Sequence, residues 1–423
     1  MKSARIGAIV GLISLGMTPL SAQTGDRDFL TGLTEEALAA NPLVRSYYLQ
    51  SQAALAEAGA AGSLPQPQIG FAYFGEAVQT KVGPQESKYS ISQTIPFPTK
   101  LSLNSKIADR AAQVEQIKYV LAVRDTVQQI KLTFFDYYLT VSTLATLREE
   151  KAILNQMLGV ARSRYETSPN LNQTDLIKIN LEAAALEAAI IGAESRENMG
   201  RASLNRILAR PPETALDIPE GYAPLTSAPT LTESQAREEA LRESPLVLLD
   251  RLGVEKERFR LSLAREEYLP DFGVMGEYIQ IGDGTTSLPD DGQDAWLVGV
   301  NVRVPLWFWS IRSRVDAQQY RLNAVEAALA DRENFIVFKI NDLYFGIRSL
   351  TRLIDLYENV LYPQARQNFS VSQSAYEQGN GDFLNWLDSE RKLLSIRLEL
   401  TAKIVDYNKT VARLEYILGR PVP

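Results

Sequence analysis

Residues 99–166 read TKLSLNSKIADRAAQVEQIKYVLAVRDTVQQIKLTFFDYYLTVSTLATLREEKAILNQMLGVARSRYE. These 68 residues hold no proline and a single glycine, Gly159. Apolar side chains recur at Val114, Ile117 and Leu121, then at Ile130, Phe134, Tyr137, Val141 and Leu144. Steps of three and four put them on one stripe of an α-helix. At about 1.5 Å per residue that helix is about 100 Å long. The length is several times that of a mean helix and about three times a bilayer core. Such a helix needs partners along its whole stripe, because helices in water draw most of their stability from packing.

The first 22 residues supply an address. Lys2 and Arg5 precede the apolar run Ile6 to Met17, and Leu20-Ser21-Ala22 leads to Gln23. A positive start, a short apolar core and a small-residue site spell a secretory signal peptide over 1–22, cleaved after Ala22. The apolar run is too short for a comfortable membrane span. No later run of about 18 apolar residues occurs, so no further membrane helix is expected.

Composition removes whole classes of chemistry. The chain has no histidine and no cysteine, which excludes zinc sites of the usual kind, Ser-His-Asp triads and disulfides. The net charge of −7 becomes −9 once Lys2 and Arg5 leave with the signal, so no basic nucleic-acid footprint exists. No glycine-rich phosphate loop is present. We expect no enzyme, no cofactor and no resident metal.

The chain is written twice. Glu36-Ala37-Leu38-Ala39-Ala40-Asn41-Pro42-Leu43-Val44 aligns with Glu239-Ala240-Leu241-Arg242-Glu243-Ser244-Pro245-Leu246-Val247. Leu64-Pro65 aligns with Leu269-Pro270, and Ile95-Pro96 with Val304-Pro305. Leu204-Asn205-Arg206-Ile207-Leu208-Ala209-Arg210-Pro211 aligns with Leu414-Glu415-Tyr416-Ile417-Leu418-Gly419-Arg420-Pro421. The spacing drifts little, which marks an internal duplication. Repeat 1 covers 23–210 and repeat 2 covers 232–423, joined by a proline-rich linker at 211–231.

Each repeat has the same order of elements. A short helix opens at Thr34 or Thr232, the latter with Gln235 three residues on as a capping box. Proline at 42 or 245 restarts it. Two strand-like segments follow, at about 67–75 and 88–96, then at about 271–281 and 295–304. Their apolar residues alternate with polar or small ones, the β period. Polar loops are expected at 75–87 and 282–294. Long helices are expected over 99–166 and 311–378, and return helices over 172–208 and 382–418. Gly346 and Pro363 let the second long helix bend.

Aromatic residues gather around the strands at Tyr73, Tyr89, Trp296, Trp307 and Trp309. A girdle of this kind marks an outer-membrane barrel, although an ordinary soluble sheet with an aromatic core also fits alternation by itself. Four strands cannot close a barrel in lipid, where an open edge is not viable. The membrane reading therefore requires several copies, and three would supply twelve strands.

The duplicated layout, the closing Leu-x-x-Ile-Leu-x-Arg-Pro, Ile95-Pro96-Phe97-Pro98, Val304-Pro305-Leu306, Tyr376-Glu377-Gln378-Gly379 and Thr174-Asp175 resemble the TolC-like outer-membrane efflux proteins. The resemblance covers essentially the whole chain after the signal. It implies a mainly α fold with a membrane β-barrel part. A homotrimer would build a 12-stranded barrel in the outer-membrane lipid of a Gram-negative bacterium, continued by a 12-helix periplasmic α-barrel. It further implies an exit duct of a tripartite efflux pump, or of a type I protein secretion system, partnered by a periplasmic adaptor protein and an inner-membrane transporter. A periplasmic coiled-coil scaffold is the rival reading, and the duplication argues against it.

The resemblance also assigns candidate residues. Helix tips that close the tunnel correspond to Thr174, Asp175, Tyr376, Asn385 and Asp388. Gly381 stands where the family has an arginine and Asn385 where it has an aspartate, so a latch of that kind cannot form here. Asp175 in a first helical turn fits either a gate or plain favourable placement at a helix start. The turns Ser168-Pro169-Asn170-Leu171 and Gln378-Gly379-Asn380-Gly381 would meet the adaptor.

Overall fold

A computed structural model describes residues 24–167, 173–224, 226, 229–284, 289 and 291–422. The signal segment and Ser168 to Leu171 lie outside the described residues. The elements, in chain order, are α1 (Thr24–Ala40), α2 (Pro42–Ala60), β1 (Gln68–Thr80), β2 (Gly83–Ile95), α3 (Pro98–Thr167) and α4 (Gln173–Ile207), then α5 (Glu233–Glu243), α6 (Pro245–Glu266), β3 (Asp271–Ile281) and β4 (Ala295–Arg303). The chain closes with α7 (Phe308–Leu356), a π-turn (Tyr357–Leu361), α8 (Tyr362–Glu377) and α9 (Phe383–Leu418).

Two compact units arise. One combines 1–41, 126–228 and 345–413, and the other 42–125, 229–344 and 414–423. Helices α3, α7 and α9 contribute residues to both.

The second unit holds the sheet, whose strands run β1-β2-β3-β4, all antiparallel. The expected loop at 75–87 is not a loop. Val78, Gln79 and Thr80 pair with Gln85, Pro84 and Gly83, with the register shifting after Tyr73. The polar residues there suggested a loop, but ladder bonds override local propensity. Gly83 has φ +131 and lies where a Cβ would meet the Gly282 carbonyl oxygen at 2.0 Å, so only glycine fits. At the other end of the sheet, Lys100 Nζ donates to Asp271 Oδ1 at 2.8 Å and to the Leu269 carbonyl at 2.9 Å. The backbone N–H of Phe97 donates to the same aspartate. These bonds moor the first turn of α3 to β3. Between α6 and α7, Val254, Leu261 and Leu322 form the apolar seam, flanked by Arg251–Glu333, Arg258–Glu326 and Arg332–Asp250 pairs.

In the first unit Ile130, Phe134, Phe135 and Tyr137 of α3 pack with Leu204, Ile207 and Leu208 of α4, Leu33 and Ala37 of α1, and Val405 of α9. Four of these lie on the stripe read from the sequence or its flank. The linker is fastened here: Leu216 is buried, its carbonyl accepts from Tyr137 Oη at 3.0 Å, and Asn205 donates to the Pro212 and Thr214 carbonyls.

Two boundaries differ from expectation, and one cap agrees with it. α1 begins ten residues before Thr34, at Thr24. The Thr232 capping box forms as read, Thr232 N donating to Gln235 Oε1 at 3.0 Å. Of the two expected bend points in the second long helix, Gly346 lies within regular α-helix and Pro363 lies just after a π-turn at Tyr357–Leu361. Pro363 has no N–H for the carbonyl four residues back, and the widened turn accommodates that loss.

Candidate functional site

The sheet has two chemically opposed faces. One carries Ile69, Phe71, Tyr73, Tyr89, Ile91, Val274, Tyr278, Trp296, Val298 and Val300, all exposed in the chain, with Ile69 at 83% and Trp296 at 75%. The other carries Gly70, Ala72, Ser90, Ser92 and Asn301, and a Lys88–Glu277 ion pair at 2.7 Å. A soluble sheet buries its apolar face, so this arrangement demands apolar surroundings.

Aromatic rings mark two levels of that face. Phe71, Tyr89, Tyr278 and Trp296 stand in direct register across the four strands. Neighbouring centroids are 5.2 Å apart for Phe71–Tyr89 and 6.4 Å for Tyr89–Tyr278. Beyond the end of β4, Trp307 and Trp309 are exposed, with centroids 5.2 Å apart. At about 3.3 Å per residue, Trp296 to Val304 covers roughly 25 Å along the strand. Outer-membrane barrels carry an apolar band of about that height between aromatic girdles. β1 and β4 each pair with one strand, which leaves an open edge on either side of the sheet.

The second candidate region is the turn between α8 and α9. Gly379, at φ +89, donates its N–H to the Tyr376 carbonyl at 3.1 Å, and Asn380 donates to the Ala375 carbonyl at 3.0 Å. This is a Schellman stop built on a left-handed glycine. A Cβ on Gly381 would lie 2.7 Å from the Tyr376 nitrogen and 2.8 Å from the Ala375 carbonyl carbon. No side chain fits there, which explains why a glycine occupies that position.

The predicted gate residues do not share one surface. Tyr376 is 1% exposed and packs at 5.1 Å from Trp386 and 5.6 Å from Phe383. Asn385 and Asp388 are exposed one helical turn apart on α9. Their i, i+3 spacing gives them a common face, with Arg391 the nearby cation acting on Asp388. Thr174 and Asp175 lie in the first turn of α4, and their side chains are outside the described residues. Gln378 to Gly381 form the exposed or half-exposed turn.

Sequence reading missed the Tyr376–Phe383–Trp386 cluster as a unit. Spacing of 383 and 386 on one face was its legible signal, but the reach back to Tyr376 depends on the turn. It also missed a buried carboxyl pair, Glu150 on α3 and Glu390 on α9, which no local pattern announces.

The chain thus combines a sheet that is apolar on one face and polar on the other with helices of up to 70 residues. Residues 236–420 match the family model described as outer membrane efflux protein. The chain is 20% identical over 399 residues to the outer membrane protein TolC of Vibrio cholerae serotype O1, spanning 92% of this chain and 90% of that protein. It is 20% identical over 344 residues to the cobalt-zinc-cadmium resistance protein CzcC of Cupriavidus metallidurans, spanning 81% and 79%. Its fold superposes on the outer membrane protein VceC of Vibrio cholerae with a TM-score of 0.79, at 18% identity over 93% of this chain and 97% of that one. Residues 236–420 thus match the outer membrane efflux protein model, and most of the chain is similar in sequence and fold to TolC-like outer-membrane proteins.

Proposed function

We propose that the protein is the outer-membrane exit duct of a tripartite efflux pump, conducting small toxic compounds passively from a periplasm-spanning complex to the exterior. The carrying observation is the four-stranded sheet, apolar on its exposed face and open at both edges. Lipid tolerates no open edge, so β1 of one copy pairs with β4 of the next until the sheet closes. Three copies give twelve strands, wide enough for a path, whereas two would give eight and a filled interior. The same three copies bring their long helices together as a twelve-helix wall through the periplasm. In this reading Tyr73, Tyr89, Trp296, Trp307 and Trp309 form the membrane girdles.

The turn at 378–381, with Ser168 to Leu171, receives the periplasmic adaptor, and an inner-membrane transporter selects the cargo. The name of CzcC favours metal ions among the cargo classes, alongside drugs. Asn385 and Asp388, exposed together on α9, are the constriction residues best supported by the geometry. Tyr376 contributes by holding the turn rather than by lining the path. No catalytic step is assigned.

Electrophoresis of outer-membrane fractions tests the assembly. A band near the trimer mass in unheated samples that collapses to the protomer on boiling is expected. A soluble monomer in the periplasmic fraction would overturn the proposal.

A further inference from the structure

Glu150 and Glu390 are buried deep in the first unit, at 7% and 2% exposure. They come from helices far apart in sequence, α3 and α9, and their side chains hydrogen-bond to each other. Two carboxylates cannot make that bond; one of the two must carry a proton and donate it. The Oε1 atom of each has no further partner among the described residues. Trp386, one turn before Glu390 on α9, is 2% exposed, and its indole N–H has none either. The surroundings therefore offer little to hold a charge.

The charged groups around the pair neutralise it only in part. From α4, Glu182 faces both acids and disfavours a second charge, while Arg391 acts on Glu390 but is paired with Glu182. On α9, Arg397 acts on Glu150 from a distance while bonding Glu149 of α3 at 2.6 Å. Lys151 of α3 is taken by Glu187 of α4 at 2.5 Å. α8 presents the ring of Phe369 to this core. Leu147, Leu154, Met157 and Leu387 complete the apolar lining.

We propose that Glu150 and Glu390 form a proton-held clasp between α3 and α9, which loosens the unit carrying the 378–381 turn when the surroundings turn alkaline.

Burial first, then the neighbouring Glu150, pushes the Glu390 carboxyl up to about 10, and burial raises Glu150 as well. A carboxyl raised on folding stabilises fully below the ordinary carboxylate range and loses that contribution as pH climbs towards the folded value. The clasp is thus closed in acid and neutral surroundings and weakens with base. On the proposed function this unit stands in the periplasm, so the clasp senses periplasmic pH rather than that of the cytoplasm.

Amide hydrogen exchange on the full-length protein in detergent, at about pH 6 and about pH 9 and corrected for intrinsic rates, tests this. Protection of 144–157 and 383–396 should fall by about tenfold or more in the wild type. Protection of the strand segment 89–95 should not change. Glu150→Gln combined with Glu390→Gln leaves no titrating proton at the pair, so its helix protection should be flat over the same range. A wild-type slope in that double variant, or no slope in the wild type, overturns the proposal. Infrared spectroscopy of the wild type supplies a test independent of any variant's folding: a protonated-carboxyl carbonyl band must persist at about pH 8. Its absence overturns the clasp.

Discussion

Arg420 grips Glu239 with two guanidinium nitrogens, tying the last residues of the chain to the first helix of their own repeat. Arg210 grips Glu36 in the same manner in the first repeat. The two clamps join the segments that align best between the two halves of the chain, so those halves share a contact as well as a pattern. The Arg420 bond holds the Glu239 carboxyl below the usual carboxylate range. A depressed carboxyl stabilises above its unfolded value, and that contribution is lost as pH falls through the folded one. Arg420→Ala should therefore lower stability by about 1 kcal/mol near neutrality, because the pair is partly solvent-screened. The difference from wild type should vanish below about pH 3 in denaturant titrations.

The residue before each arginine stops a helix in the left-handed region, Ala209 at φ 55 and Gly419 at φ 74. An alanine there costs about 1 kcal/mol relative to glycine. Ala209→Gly should raise the unfolding free energy by up to about 1 kcal/mol. Gly419→Ala should lower it by more than that, since its Cβ would sit 2.5 Å from Pro245 Cδ. Denaturant midpoints of the two variants should move in opposite directions.

Trp386 lies beneath the turn with Tyr376 and Phe383, while Asn385 beside it is exposed. Trp386→Ala should cost about 3–5 kcal/mol through the cavity it leaves. Asn385→Ala should stay within about 0.5 kcal/mol. Thermal melting followed by near-ultraviolet dichroism separates the two.

Val298 is exposed in the middle of β4, between the two levels of aromatic rings. If that face meets lipid, Val298→Arg should cost about 2–4 kcal/mol in bilayers and nearly nothing on a water-facing sheet. Folding into liposomes, followed by the heat-dependent shift in mobility, measures it.

Three copies of Asp388 around a symmetry axis would attract cations. Asp388→Asn should lower cation over anion permeability in planar bilayers. A reversal potential equal to that of wild type would remove Asp388 from the constriction.

Much of this architecture was legible in the sequence because periodicity is a local property. The stripe at Ile130, Phe134 and Tyr137 needed no neighbour to be visible, and the long helix α3 follows it closely. The alternation of Trp296, Val298, Val300 and Val302 likewise placed β4. The first hairpin was not legible because the pairing of Val78, Gln79 and Thr80 with Gln85, Pro84 and Gly83 extends both strands to a tight turn, which no local period announces. The burial of Tyr376 was hidden for a related reason. It sits in a motif that the family resemblance ties to the constriction, yet its ring packs against Phe383 and Trp386, because the Schellman turn folds α9 back over it.

The sequence by itself determined the duplication, the helical reach, the two-faced strands and the absence of histidine and cysteine chemistry. Each of these depends on residue type and spacing along the chain. The tertiary structure alone decided which side of the sheet is bare, that Gly381 has no room for a side chain, and that Glu150 meets Glu390. The last of these arises where segments 240 residues apart come into van der Waals range, and no local period encodes which surfaces will meet.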